Sequence, residues 1–128
     1  MQCDVIGLMM KVSTHFRGDT MELERLGGDS TDGQSPTLFR SDRGTYVTQG
    51  WRTDRSDTIE IPHRLVRHLV PGTCFGALLH DTGYGTFLLT GEPVTDVRAL
   101  EQIRPPDHES AVEVPIGTER RRDAAPHV

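Results

Sequence analysis

Lysine is almost missing from this chain: Lys11 is the only one, the other thirteen basic residues are Arg, and Asn does not occur. Lys and Asn have A-rich codons, so their scarcity reads as a GC-rich genome and not as a binding signature. Cysteine is scarce as well. Cys3 and Cys74 cannot build a disulfide framework, and Cys3 sits in a stretch that looks unpacked, so a reduced, cytoplasmic setting is expected. No apolar run approaches the ~18 residues a bilayer-spanning helix needs, which removes a membrane from the expected partners. A basic excess is also lacking: 14 Lys and Arg face 19 Asp and Glu, a formal net charge of −5, which argues against a strongly basic nucleic-acid binder. Aromatics are 5% and hydrophobic residues 34% of 128 residues, enough for one domain with part of the chain outside its core.

The two ends account for much of that deficit. Residues 1–35 hold a short apolar patch (Val5, Ile6, Leu8, Met9, Met10) and then a Gly, Asp, Ser and Thr run from Gly27 to Gly33. The patch is too short for an export signal and has no cleavage site. The segment is expected to be disordered, or an over-called start with translation beginning at Met21. At the other end, residues 117–128 carry Arg120, Arg121 and Arg122 ahead of Ala124-Ala125-Pro126, with nothing to bury, and read as a disordered, solvated tail.

What is present lies in residues 36–116, read as one domain with an internal repeat. Gly44-Thr45-Tyr46-Val47-Thr48-Gln49-Gly50 returns as Gly85-Thr86-Phe87-Leu88-Leu89-Thr90-Gly91, and each copy follows an Asp-containing turn and an apolar run, Thr37–Arg40 and Phe75–His80. Asp and Gly supply the turns, and β-branched and aromatic residues suit strands, so each copy reads as a hairpin. A third strand repeats as Thr58–Pro62 and Ala111–Pro115. Between the hairpin and the last strand of the second copy, Thr95-Asp96 can cap a helix whose apolar positions are Val97, Leu100 and Ile103, stopped by Pro105-Pro106. In the first copy Pro62 starts a short helix ended by Pro71-Gly72, with Leu65, Val66 and Leu69 inward and Arg64, Arg67 and His68 outward.

The expected architecture is therefore α+β and β-rich: duplicated three-strand units forming a twisted sheet or small partly closed barrel, with two short helices. Strand alternation puts Tyr46 and Thr48 on one face and Val47 and Gln49 on the other. Adjacent apolar Leu88 and Leu89 predict that their strand is central and covered on both faces and that the first hairpin is nearer an edge, where it could pair with another chain. Phe39, Tyr46, Trp51, Phe75, Tyr84 and Phe87 are the aromatics of this ordered part.

No nucleophile elbow, phosphate loop, zinc-protease helix or paired-cysteine ligand set occurs, so no catalytic, cofactor or metal residues are assigned. Cys74 and His80 share strand parity and could in principle ligate a metal. Cys74 reads better as a small buried hydrophobe.

Ser35–Trp51, with Val94–Glu101, Pro106–Glu109 and Val112–Pro115, resembles a family of short uncharacterised actinobacterial proteins. In usual members the tryptophan strand runs directly into the Val-Thr-Asp segment; here residues 52–93 separate them. The resemblance implies an actinobacterial cytoplasmic protein encoded near helix-turn-helix regulators, and carries no reaction. Thr58–Leu69 with Pro71-Gly72-Thr73 has a weaker likeness to swapped-hairpin transition-state-regulator and antitoxin domains, which implies an intertwined dimer touching DNA through arginines.

Two function classes follow, neither enzymatic. Residues 81–115 carry −5, which suits docking on a basic protein such as a helix-turn-helix regulator, with Trp51 and Arg52 as the expected contact. The alternative is a dimeric DNA-binding regulator using Arg40, Arg43, Arg52, Arg55, Arg64 and Arg67; residues 40–80 carry only +2, so this needs the arginines on a shared face.

Overall fold

The computed structural model describes residues 2–5, 20–28 and 35–120. Within them the chain alternates short strands with Gly- and Asp-rich turns. The order is β1 (Gln2–Val5), β2 (Leu23–Gly28), β3 (Thr37–Ser41), β4 (Thr45–Arg52), β5 (Thr58–Pro62), a 3-10 helix (His63–His68), β6 (Thr73–Phe75), β7 (Leu79–Asp81), β8 (Thr86–Thr90), β9 (Glu92–Pro93), α1 (Val97–Ile103) and β10 (Glu109–Arg120). This is the β-rich arrangement with two short helices that the strand and cap signals imply.

β4 organises the sheet. On one side it pairs with β10, from Thr45↔Pro115 to Trp51↔Glu109. Its other side is shared: β3 covers Tyr46 to Gln49, and β5 takes over at Trp51 and Arg52. β5 passes the pairing to β8 and β8 to β7, where the sheet ends open. Past Gly91 the chain of β8 turns into β9 and pairs with Val112 and Glu113 of β10, so the sheet curls strongly. Glycine is required there, because a Cβ at Gly91 would stand 2.5 Å from Val114 Cγ1 and 2.8 Å from the Glu113 carbonyl oxygen.

Alternation along β4 buries both of its faces. Tyr46 joins Leu38, Ile59, Ile61, Leu65, Phe75, Leu89, Val112 and Val114 in one cluster. Val47 joins Met21, Phe39, Ala99, Ile103 and Ala111 in another, under α1. Neighbouring residues on β3, β4 and β10 fall into different clusters, as a period of two demands.

Several expectations are corrected. The first hairpin is not the edge: β4 is buried along Tyr46–Gly50, whereas β7 is exposed throughout and forms an open edge of the sheet. The strand of Leu88-Leu89 is an inner one, with β8 paired to β5 and β7, but it is not covered on both faces, since only Leu89 is buried. The expected strand Phe75–His80 is broken, β6 pairing with β10 and β7 with β8. The third strands of the two copies are placed differently: β5 lies between β4 and β8, while β10 pairs with β4 instead of β8. The twelve or so extra residues around α1 let the chain return to the open side of β4.

Residues before 36, expected to be unpacked, contribute β1 against β10 and β2 against β3, and Met21 is a core residue. The expected tail loses its first four residues to β10, which runs to Arg120. The rest of those two end segments, residues 6–19, 29–34 and 121–128, and residue 1 lie outside the described residues. Cys74 is disulfide-bonded rather than a free hydrophobe, which also removes its thiol as a metal ligand. No helix among the described residues is long and apolar enough to cross a membrane.

Candidate functional site

The arginines expected to form a DNA face are dispersed along the sheet. Arg43 lies in the turn before β4 and Arg52 at its far end, and eight strand residues span roughly 26 Å. Most already have protein partners. Arg40 meets Glu24 at 3.0 Å, and Arg55 grips both oxygens of Asp57 at 3.0 and 2.9 Å. Arg52 Nε donates to the Asp107 carbonyl at 2.8 Å. Arg64 and Arg67 are exposed on the 3-10 helix, but His68, expected beside them, turns in and packs over Gly27 of β2. The Trp51–Arg52 pair expected to contact a partner is split by strand parity: Trp51 is half-buried between Glu109 and Glu60, and Arg52 is exposed.

An open cleft of about 450 Å³ lies between that first turn, β9 and the start of α1. Its one cation, Arg43, stands among three carboxylates, Glu92, Asp96 and Glu113. Arg43 stands 3.8 Å from Asp96 and 3.7 Å from Glu113. Asp96 also accepts from the Ala99 N–H to cap α1, and Glu113 accepts from the Thr45 hydroxyl. Beneath α1, the buried Glu109 carboxylate accepts from Gln49 Nε2 at 2.6 Å. No group of three or more His, Cys, Asp or Glu side chains among the described residues is placed to hold a metal ion.

The exposed feature that stands out is the β7–β8 hairpin. Four large hydrophobic side chains are exposed among the described residues, and three belong to this hairpin: Leu78 at 72%, Leu79 and, at the tip, Tyr84 at 90%. The fourth is Val97; of the three apolar positions expected on α1, Ile103 is buried and Leu100 half-buried, while Ala99 is buried where Val97 is not. Large apolar side chains gathered on one exposed hairpin of a small protein point to a contact surface.

The tip holds Tyr84 out on a fixed scaffold. Gly83 and Gly85 have φ of 86° and 90°, values open to glycine at no steric cost. The Asp81 carboxylate accepts from the Gly83 N–H at 2.9 Å, and the Thr82 hydroxyl accepts from the Tyr84 N–H at 3.1 Å. The Thr82 N–H donates to the Thr86 carbonyl at 3.0 Å. Two further bonds tie the tip to the body: the His63 N–H donates to the Gly85 carbonyl at 3.0 Å, and His63 Nε2 lies 3.0 Å from Asp81 Oδ1. The His63 ring rests against Phe87 with centroids 4.3 Å apart. The hydrogen bond from the Gly83 N–H holds the Asp81 carboxyl below its usual value of 3.8 against the opposing effect of burial, and the hydrogen bond with His63 adds to the lowering.

Sequence reasoning counted Tyr84 among the aromatics of the ordered part and did not single it out. The available signal was its place between two turn glycines, where a side chain has no strand face to join. No protein family, no curated protein and no solved structure matches this chain.

Proposed function

We propose that this chain is a non-catalytic regulatory protein that works by binding other protein chains, with the β7–β8 hairpin as its contact surface. The observation that carries this reading is Tyr84, 90% exposed on a tip tied by hydrogen bonds on both sides of it. An aromatic held in place before binding loses little conformational freedom on docking, which is how anchor residues contribute most of an interface's affinity. Leu78 and Leu79, at the other end of β7, add exposed apolar area on the same hairpin. The net charge of −5 favours a basic partner, and a helix-turn-helix regulator is of that kind.

Affinity capture from the native organism tests the reading, using the wild-type chain and Tyr84→Ala, both checked by circular dichroism. Capture that the variant loses at unchanged salt supports it. Capture undiminished in folded Tyr84→Ala and Leu78→Ser variants overturns it. So does binding to duplex DNA that falls steeply with salt and ignores Tyr84, which would turn the assignment to nucleic acid.

A further inference from the structure

We infer that the outer edge of β7 pairs antiparallel with β7 of a second copy of this chain, about a two-fold axis at His80. This rests on the hairpin being the contact surface and names its occupant. β7 is the last strand of the sheet, and its hydrogen-bonding phase is fixed by its partner. The Thr90 N–H donates to Leu78 and the Thr82 N–H donates to Thr86, so even-numbered residues face β8. By alternation, the N–H and C=O groups of Leu79 and Asp81 point away from the sheet, into solvent.

Those four groups form a self-complementary set. With His80 opposite His80 of the second copy, Leu79 of each copy faces Asp81 of the other. In an antiparallel ladder such a pair exchanges both hydrogen bonds, so every outward group of the edge is satisfied, four bonds in all. A two-fold contact of this kind is closed: it consumes both edges and leaves no template for further growth.

Three residues of ladder are too few to hold a dimer alone, and the same register supplies the rest. It places Thr82 opposite Leu78 and carries the Tyr84 tip alongside Gly76–Leu78 of the other copy. Tyr84 and Leu78, the two most exposed large hydrophobic residues among the described ones, thus come within two ladder positions of each other on both sides of the axis.

Analytical ultracentrifugation of the full chain over a wide concentration range provides the test, with three variants. Wild type should reach a dimer. Leu79→Pro removes only an outward N–H, which an edge strand tolerates, and should leave the circular dichroism spectrum unchanged while giving a monomer. Tyr84→Ala should raise the dimer dissociation constant about tenfold. His80→Cys reads the register directly: facing residues of a non-hydrogen-bonded pair have Cα atoms ~4.5 Å apart, within disulfide range, so the oxidised variant should form a covalent dimer, whereas Thr82→Cys should not. A wild-type monomer at every concentration overturns the inference. So does a dimer that folded Leu79→Pro and Tyr84→Ala variants leave intact. A monomer that still captures a heterologous protein in a Tyr84-dependent way overturns the second copy alone and leaves the contact surface standing.

Discussion

The phenol of Tyr46 is fully buried and serves two groups of the turn between the 3-10 helix and β6. It accepts from the Val70 N–H at 2.8 Å and shares a hydrogen bond with the Thr73 hydroxyl, which in turn donates to the Val70 carbonyl at 2.6 Å. Its ring stands edge-on to Phe75, with centroids 5.7 Å apart. Tyr46→Phe keeps that packing and strands a backbone N–H, so it should cost about 1–3 kcal/mol in urea unfolding, with an unchanged slope. At the hairpin tip a different residue responds to acid. The Asp81 carboxyl is held below 3.8, so its contribution to tip order is complete above that value and disappears as pH falls through the lower folded value. The Gly83 amide resonance followed by NMR should therefore titrate with a midpoint below 3.8; a midpoint at or above it contradicts the hydrogen bond. Alternation made the two faces of β4 legible, Tyr46 and Thr48 against Val47 and Gln49. It could not place Tyr84, because a side chain between two turn glycines has no strand parity.

Among the elements, α1 follows most directly from local chemistry. Asp96 accepts from the Ala99 N–H at 2.9 Å, and Arg104 ends the helix in the left-handed conformation with its N–H on Leu100. Asp96→Ala should cost about 1 kcal/mol, read by thermal unfolding, while Asp96→Asn should retain most of the stability because the amide oxygen still caps. Caps and turns depend on neighbouring residues and were readable for that reason. Strand order was not. It depends on which strands meet across long stretches of chain, and the twelve-residue return of β10 to β4 took the first hairpin away from the expected edge. β2 was missed because Leu23–Gly28 has two apolar residues among Glu, Arg and Gly, and its glycines look like a loop. Gly27 in fact makes room for the His68 ring, which a Cβ would approach to 2.2 Å. Trp51 and Arg52 stood out because aromatic and Arg side chains anchor interfaces, a rule of composition that does not say which face of a strand each joins; on β4 the two are split, Trp51 half-buried and Arg52 exposed.

At the scale of the whole molecule, two apolar clusters share one backbone layer. β3, β4 and β10 each send alternate side chains to the cluster holding Leu89 and Phe75 and to the one holding Ile103 and Met21. Neither cluster can lose its packing without exposing the other side of the same three strands, so the clusters should unfold together. Leu89 is fully buried in the first and Ile103 nearly so in the second. Leu89→Ala and Ile103→Ala should each cost about 2–5 kcal/mol, and side chains in separate clusters should combine additively to within ~0.5 kcal/mol. Trp51, half-buried at the junction of β4, β5 and β10, provides a fluorescence probe for comparison with far-ultraviolet circular dichroism. The two signals should coincide across the denaturant transition for wild type and for both variants, as a single cooperative unit requires. Two resolved transitions, with Ile103→Ala shifting only one, would mean that the cluster under α1 can melt alone and that the shared strands do not couple the two faces.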